Sequence, residues 1–276
     1  MPSNNGATIS RELAVKILNE ADIGFFVESS IFKNLSDNKI SSKDRSLTTE
    51  IVYGSIRWRD RLDSIIDKLL KYHSNRLHPE IRNILRVAIY QILFLNKIPV
   101  HAIVHQAVKQ AGARLRGRFS GLVNAVIRSA LRNPDILYFE PARNSKSLAT
   151  YYSHPKWLID RWLNKFGLEK TIKILETNNQ RSCLTLRVNL LKINILELGS
   201  FFQEEGVDFE IIDHDRGVLR VNKTKGPVNS IPGFKKGFFV IQDFASQMIA
   251  PFLLAQPDHK ILDICGAPGG KSSHVA

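Results

Sequence analysis

The sequence predicts a multidomain protein: an all-α helical bundle, then a small α/β unit, then the truncated start of a Rossmann-like sheet. Three observations predict this order. Residues 1–135 repeat apolar side chains at helical spacing. Residues 184–221 alternate apolar and polar side chains as strands do, and an apolar run at 260–265 leads straight into a glycine-rich turn. The length of 276 residues suits about two domains, each with its own core.

The helical bundle, assigned to residues 1–140, is predicted from four apolar stripes. Within each stripe, apolar residues recur three or four positions apart, so they share one helix face. The stripes are Leu62, Ile65, Ile66, Leu69 and Leu70; Ile81, Ile84, Leu85, Ala88, Ile89 and Ile92; Ile103, Val104, Ala107, Val108 and Ala111; and Leu122, Val123, Val126, Ile127, Ala130 and Leu131. An earlier helix is predicted over 10–19. Ser41 and Asp44 form a capping-box pattern that opens another.

Residues 141–231 are assigned to a linker, a short helix and a small α/β unit. Prolines and the polar stretch 143–147 interrupt the helical period. The short helix contains Trp157, Trp162 and Phe166, whose spacing favours a core position over a base-stacking platform. The predicted strands cover residues 184–190, 208–212 and 217–221, and a helix is predicted over 195–202.

The last region, residues 232–276, is predicted to begin the Rossmann-like sheet, with strands at 238–241 and 260–265 and a helix at 245–254. Asp263 ends the second strand and a glycine-rich turn follows. Glycines let the backbone approach a ligand, and N–H groups at a helix start meet its polar atoms. The expected ligand-binding residues are Cys265, Gly266, Ala267, Pro268, Gly269, Gly270 and Lys271.

The spacing of this turn leaves four interpretations to compare. A phosphate-binding P-loop needs glycine five residues before Gly270, where the chain has Cys265. A dinucleotide fingerprint needs G-x-G-x-x-G, which the turn lacks. The first motif of a methyltransferase tolerates this glycine pattern after an acidic strand end. A tight strand-to-helix turn that binds no ligand remains open on spacing alone.

The positive charge of the chain is concentrated in its middle. The net charge is +13, and residues 51–200 carry 25 Lys and Arg against 10 Asp and Glu. A basic face suits a polyphosphate partner, because each neutralised phosphate releases counterions; a solvated basic surface is the alternative. The candidate RNA contacts are Arg57, Arg82, Arg86, Arg114, Arg116 and Arg118, with Arg59 and Arg61 in the cluster around Arg57.

Cysteine usage and hydropathy exclude several classes of protein. Cys183 and Cys265 lack C-x-x-C spacing, which disfavours a disulfide framework or a zinc site and favours a reducing cytoplasm. Cys183 is predicted to be a buried, inert thiol. No apolar run approaches the ~18 residues that span a bilayer, and no secretory signal is evident. We expect a cytoplasmic monomer with no membrane partner and no metal.

The residues around the turn are similar to those of a known enzyme family. Residues 263–272 (DICGAPGGKS) closely resemble the D-x-C-A-A-P-G-G-K-T motif of the RNA cytosine-C5 methyltransferases. Gly266 replaces Ala and Ser272 replaces Thr, both mild changes. Residues 242–247 (QDFASQ) resemble the Q-D-x-A-S-Q segment of that family, and residues 186–189 resemble its L-R-V-N strand.

The helical region carries a second resemblance, to the RNA-binding fold of the antitermination factor NusB. The similar segments are residues 53–57 (YGSIR), 85–92 (LRVAIYQI), 99–102 (PVHA) and 121–128 (GLVNAVIR). His105-Gln106 depart from the more usual Asn-Glu. A NusB-like bundle joined to a cytosine-C5 methyltransferase is typical of the bacterial 16S rRNA methyltransferase B family, the Sun or Fmu type.

This resemblance implies S-adenosylmethionine as cofactor, 16S rRNA as partner, and a cysteine thiolate that adds to C6 of the target cytosine. In the family the catalytic cysteines lie downstream of the glycine-rich motif, so we expect no catalytic residue within 1–276, and Cys265 is assigned to the cofactor loop. We expect the C-terminal segment to be loosely held and this chain alone to bind the cofactor weakly and to be inactive. The alternative function is a non-catalytic NusB-like RNA-binding module in transcription antitermination or ribosome assembly.

Overall fold

A computed structural model describes residues 6–37, 40–70, 77–114, 117–180, 183–223 and 228–276. The chain divides into two compact units, residues 1–180 and 181–276. This division differs from the predicted boundaries after residues 140 and 231. The residues assigned to the linker fold into helices of the first unit, and the expected start of the third region joins the sheet of the second.

The first unit is helical, as predicted. Its helices are α1 (Gly6–Asp22), α2 (Val27–Leu35), α3 (Ser42–Arg57), α4 (Arg59–Leu70), α5 (Pro79–Phe94), α6 (Val100–Ala113), α7 (Ser120–Arg132), α8 (Pro134–Leu137), α9 (Ser145–Tyr152) and α10 (Lys156–Asn179). The predicted cap at Ser41 is present: its Oγ accepts the Asp44 backbone N–H at 3.1 Å. Such a cap stabilises a helix by about 1 kcal/mol.

Helix α5 lies at the centre of this bundle, because nearly all of its residues from Ile81 to Gln91 are buried. The predicted stripes of α4, α6 and α7 supply buried side chains to the same core, together with α1 and α3. A helix that is buried on all sides requires neighbours on all sides, and α1, α3, α4, α6 and α7 provide them.

Helices α3 and α5 approach closely at Gly54. A Cβ on Gly54 would lie 1.9 Å from the Cζ of Tyr90, so only glycine fits there. The Tyr90 hydroxyl donates to Glu50 Oε1 at 2.7 Å, which fixes the ring against α3. Gly54 and Tyr90 belong to the first two NusB-like segments, and their contact gives those segments a packing role.

Residues 134–179 differ most from the prediction for the first unit. The expected short helix is the 24-residue α10, which Gly167 interrupts at φ +74°. The face of α10 that packs on α9 carries Ile159 and Leu175. Trp157 lies two residues from Ile159, on the opposite side, and is 65% exposed. The predicted core position is therefore wrong for Trp157 and also for the exposed Phe166, while Trp162 packs partly against the α9–α10 cluster.

The second unit contains a four-stranded antiparallel sheet of order β2-β3-β1-β4. Its strands are β1 (Leu184–Val188), β2 (Asp208–Asp213), β3 (Val218–Lys223) and β4 (Phe239–Ile241), and α11 (Ile195–Glu204) packs on one face. Leu186 pairs with Leu219 on one side and Ile241 on the other. The first three strands and α11 agree with the prediction. Strand β4 was expected to begin a separate parallel sheet, but it completes this one.

The C-terminal segment, defined here as residues 244–276, contains three short helices: α12 (Phe244–Gln247), α13 (Ile249–Leu253) and α14 (Ser272–Val275). The predicted buried strand at 260–265 is not formed, and Leu262 and Ile264 are 85% and 86% exposed. A strand requires a neighbour for its backbone hydrogen bonds, and no described strand pairs with this segment. The start of a Rossmann-like sheet is therefore not seen in this part of the chain.

None of the described helices has the length and apolar character needed to span a bilayer.

Candidate functional site

The glycine-rich loop, residues 263–272, is organised around Asp263. The Asp263 carboxylate accepts the Cys265 backbone N–H on Oδ1 at 3.0 Å and the Ser272 hydroxyl on Oδ2 at 2.6 Å. The two ends of the loop are thus tied to one carboxylate. Ser272 is the first residue of α14, so the Asp263 carboxylate also links the start of the loop to the start of that helix. Gly269 has a φ of +97°, a conformation that favours glycine.

These hydrogen bonds alter the titration of the loop. Hydrogen bonds from Ser272 and the Cys265 N–H, with the nearby Lys271 charge, hold the pKa of Asp263 below its ordinary value. Burial and the positive charge of Arg187 lower the pKa of His274. The folded loop therefore favours an ionised Asp263 and a neutral His274.

Strand β1 holds both the loop and the Q-D-x-A-S-Q segment. Arg187 donates from Nη1 to the Gly270 carbonyl at 3.0 Å and from Nη2 to Ser273 Oγ at 3.2 Å. Thr185 Oγ1 donates to the Gln242 carbonyl at 2.7 Å, and Gln247 Nε2 donates to the same carbonyl at 2.8 Å. The three motifs of the methyltransferase resemblance therefore meet at one strand.

A cavity of about 860 Å³ adjoins the loop. Its walls combine apolar side chains with loop residues: Ile249, Leu253, Ile261, Leu262, Ile264, Asp263, Cys265 and Lys271 among others. A largely apolar wall with a few polar groups is typical of small-molecule sites, which are usually a few hundred to about 1,000 Å³. At Gly270 a Cβ would meet no atom within 4 Å, so the backbone there is open to approach.

Arg82 and Arg86 belong to a network of ion pairs inside the bundle. Arg86 is 6% exposed and binds Asp63 through two hydrogen bonds, of 2.8 Å from Nε and 2.6 Å from Nη2, and Asn83 through a third. Arg82 pairs with Asp67 at 2.9 Å and with Asp63 at 3.4 Å. Both were predicted as RNA contacts, but α4 supplies the carboxylates that bind them. Because the Arg86 guanidinium is buried and already bonded to Asp63, it is poorly placed to contact a phosphate.

The cluster around Arg57 contains three different environments. Arg61 is buried, and its guanidinium lies 4.0 Å from the ring centroid of Tyr151 and 5.5 Å from that of Trp58. Its backbone N–H donates to Ser153 Oγ at 3.0 Å, which fastens the end of α9 to α4. Arg59 pairs with Asp22 at 2.5 Å. Arg57 is half-buried at the last residue of α3.

The third cluster follows α6. Arg114 pairs through Nε with Glu80 Oε1 at 3.1 Å. Arg118 is exposed, and the structure gives it no ion pair with any residue that it describes. Arg116 lies outside the described residues. Of the six arginines proposed as RNA contacts, Arg86 is the one that the described chain buries almost completely. Arg57, Arg82, Arg114 and Arg118 remain candidates among the described residues.

Sequence reasoning missed Arg187 and misjudged Cys183. The signal for Arg187 was present, because a charged residue between Leu186 and Val188 must face away from the core that those side chains enter. Cys183, predicted to be buried, is exposed just before β1. Among the described residues, no group of three or more His, Cys, Asp and Glu could hold a metal.

Comparison with known families agrees with the two resemblances. The NusB family matches residues 8–132, which correspond to α1–α7. The Methyltr_RsmF/B-like, ferredoxin-like domain matches residues 154–229, which run from the start of α10 through β3. The chain therefore joins a NusB-type domain to a domain of RNA methyltransferases of the RsmF and RsmB type.

Individual relatives indicate which type of methyltransferase this chain is similar to. The chain is 31% identical over 271 residues to the probable ribosomal RNA small subunit methyltransferase B of Bacillus subtilis, covering 98% of this chain and 60% of the relative. It is 30% identical to the Synechocystis protein of that name, covering 97% and 60%, and 34% identical to the Proteus mirabilis protein, covering 90% and 57%. This chain is a homologue of the ribosomal RNA small subunit methyltransferase B proteins, as its sequence motifs predict.

The chain spans about 60% of the length of these relatives. A solved structure, the crystal structure of PH0851, has the same fold over 97% of this chain and 60% of its own, with a TM-score of 0.68 and 20% identity.

Proposed function

We propose that this chain supplies the RNA-binding units and the first cofactor motif for S-adenosylmethionine-dependent methylation of a cytosine C5 in 16S rRNA. The observation that carries the proposal is the convergence of three methyltransferase motifs on β1, beside the Asp263-centred loop. The homologues named ribosomal RNA small subunit methyltransferase B support the same reaction class.

The loop residues fit such a cofactor. The carboxylate of its methionine part can accept hydrogen bonds from backbone N–H groups of the loop. Its adenosine part suits the apolar walls of the adjoining cavity. We assign cofactor contacts to Cys265, Gly266, Ala267, Pro268, Gly269, Gly270 and Lys271. When bound, the sulfonium supplies an electrophilic methyl group.

The residues of this chain have positioning tasks in the proposal. Asp263 holds both ends of the loop, and its lowered pKa keeps the carboxylate ionised as an acceptor for Cys265 N–H and Ser272 Oγ. The Cys265 thiol is assigned no nucleophilic role, because its backbone is part of the loop that holds the cofactor. The thiolate that attacks cytosine C6 is assigned to neither Cys183 nor Cys265.

RNA binding is assigned first to the NusB-type domain. Arg57, Arg82, Arg114 and Arg118 are the described candidates for phosphate contacts, and Arg116 remains a candidate outside the described residues. The excess of Lys and Arg in residues 51–200 favours an anionic partner. We further propose that the protein is cytoplasmic, where its proposed 16S rRNA partner is found. We also propose that it is a monomer, because the reaction needs one RNA and one cofactor on one chain.

A genetic test addresses the reaction directly. Deleting the coding sequence in the source cells is expected to remove one 5-methylcytosine from 16S rRNA, read as a single position that becomes convertible by bisulfite. Restoring the wild-type gene should restore that position, and restoring Asp263→Ala should not. Persistence of every 5-methylcytosine after deletion would rule out the C5 assignment. The loss of a different modified base would show that the enzyme methylates that base instead.

A binding test addresses the RNA surface. The affinity of the chain for a 16S rRNA fragment should fall steeply with salt, and Arg114→Ala with Arg118→Ala should reduce that slope by about one to two phosphate contacts. Arg216→Ala is the matched control, since Arg216 is an exposed arginine paired with Asp213 in the second unit. An unchanged slope in the double variant would exclude this part of the surface.

A further inference from the structure

Arg187 occupies an unusual position for a charged residue. It is the fourth of the five residues of β1, between Leu186 and Val188, which enter the core under α11. Because side chains alternate along a strand, Arg187 is on the opposite face of the sheet. There it is only 8% exposed.

The acceptors that the structure gives Arg187 are both neutral and both belong to the C-terminal segment. They are the Gly270 carbonyl and the Ser273 hydroxyl. Burial lowers the pKa of Arg187, although the guanidinium stays charged. A desolvated charge is costly unless its hydrogen bonds are made, so the two contacts to the loop compensate the desolvation of Arg187.

The contact to Gly270 has a geometric consequence. A trans peptide group is planar, and its C=O and N–H point in opposite directions. When Arg187 fixes the Gly270 carbonyl toward β1, the N–H of the same peptide group, which belongs to Lys271, points away from β1. Lys271 lines the cavity beside the loop. The second contact, to Ser273, fixes the first turn of α14 in the same frame.

We propose that Arg187 is a positioning residue for the cofactor loop: from the central part of the ferredoxin-like sheet, it sets the orientation of the Gly270–Lys271 peptide group and of the start of α14. The proposal rests on the proposed function for the identity of the ligand, S-adenosylmethionine. The orientation of the loop by Arg187 does not depend on that identity.

Three variants in the full chain test this role. Arg187→Ala removes both hydrogen bonds. Arg187→Lys keeps the charge but cannot reproduce both hydrogen bonds of the guanidinium. Ser273→Ala removes one acceptor without changing the sheet. Arg216→Ala is the control, because it deletes an arginine of the same unit that binds Asp213 rather than the loop.

The first measurement is amide hydrogen exchange of residues 265–276 and of β1 and β3. Arg187→Ala is expected to speed exchange in the loop and α14 by about tenfold, the equivalent of one charge-assisted hydrogen bond, with a smaller increase for Arg187→Lys. Exchange in β1 and β3 should stay at the wild-type rate. If β1 and β3 also lose protection in Arg187→Ala, the sheet itself is disturbed and the test passes to Ser273→Ala. If the loop of Ser273→Ala then exchanges at the wild-type rate, the proposal is overturned.

The second measurement is the nuclear magnetic resonance titration of His274. Its pKa is lowered by burial and by the charge of Arg187. It should rise in Arg187→Ala and stay lowered in Arg187→Lys, which distinguishes a loss of position from a loss of charge. A His274 pKa unchanged in Arg187→Ala contradicts the placement of Arg187 beside the loop.

The third measurement is calorimetric titration with S-adenosylmethionine. The dissociation constant should rise about tenfold in Arg187→Ala, less in Arg187→Lys, and not in Arg216→Ala. A looser loop with unchanged affinity overturns the positioning role. If neither the wild type nor any variant binds S-adenosylmethionine while the loop still loosens, the cofactor assignment fails and the orientation of the loop by Arg187 stands.

Discussion

The helical bundle and the C-terminal segment both carry apolar patterns that predict burial, with opposite outcomes. Ile81, Ile84 and Ile89 of α5 are almost completely buried, whereas Leu262 and Ile264 are almost completely exposed. A helix forms its hydrogen bonds within itself and then packs its apolar face. A strand has no internal bonds to form, so the pattern at 260–265 has no effect without a neighbouring strand. Apolar spacing thus predicts burial only where partner elements are available.

The two regions are also held by different forces. The bundle combines a large apolar core with buried ion pairs that join α4 to α5. The C-terminal segment depends on polar contacts around Asp263 and Arg187. Substitutions in the bundle should therefore change global stability, and substitutions in the segment should change local order.

The largest effect is expected for Asp63→Ala. It leaves the buried Arg86 without its two-bond partner and should lower the free energy of unfolding by about 3 kcal/mol. Urea unfolding followed by circular dichroism gives this value. The double variant Asp63→Ala with Arg86→Met removes the charge as well and should recover part of the loss. A double variant less stable than Asp63→Ala would show that Arg86 has a second stabilising role.

The next effect is expected at Gly54. Gly54→Ala introduces a Cβ into the Tyr90 ring and should cost about 2 kcal/mol through overpacking of α3 on α5. Gly121→Ala is the matched control, since its Cβ would meet no atom within 4 Å and alanine favours a helix. The control should be neutral or slightly stabilising in the same urea experiment. Equal stability of the two variants would argue against the close approach of α3 and α5.

A smaller, local effect is expected for Ser272→Ala. It removes the main hydrogen bond that lowers the pKa of Asp263, so this pKa should rise toward its ordinary value. Because the folded-state pKa is lowered, ionised Asp263 stabilises the loop above the unfolded-state pKa of about 4. That stabilisation is lost as the pH falls through the lowered folded-state value. In Ser272→Ala the loop should lose exchange protection at a higher pH than in the wild type, while the bundle remains unchanged at that pH.

The smallest effect is expected for Gly266→Ala. A Cβ there would lie 3.4 Å from the Asp263 carbonyl, an ordinary contact, and Gly266 does not have a positive φ. Alanine, which the related motif carries at this position, should leave the affinity for S-adenosylmethionine within about twofold of the wild type. A tenfold loss would indicate that the loop needs glycine freedom at 266 and not only at 269.

The sequence was sufficient where the determinants are local. The cap at Ser41, the stripes of α4 to α7 and the alternation of β1 all depend on residues a few positions apart. It was insufficient where a partner lies far along the chain. Arg86 lies 23 positions from Asp63, and Arg187 lies 83 from Gly270. Neither partner can be read from neighbouring residues: Arg86 was therefore predicted to contact RNA, and for Arg187 the strand pattern indicates only the face of the sheet and not the partner.

The sequence indicates which residues form the candidate loop but not which residues support it. The glycine pattern and Asp263 indicated a ligand loop, since both act within ten residues. The placement of β4 was missed because a three-residue apolar run fits any sheet. Its pairing with β1 brings Gln242 to Thr185, and this contact holds the segment that leads into the loop.

The aromatic environment of Arg61 has a practical optical consequence. The chain has three tryptophans, Trp58, Trp157 and Trp162, and all of them lie in the helical unit. Trp58 stacks on Phe94 at 4.9 Å beneath Arg61, whereas Trp157 faces water. The tryptophan emission maximum should therefore shift to longer wavelength when the bundle unfolds. It should stay unchanged when only the sheet unit unfolds. One fluorescence trace beside one circular dichroism trace can separate the two transitions without a label.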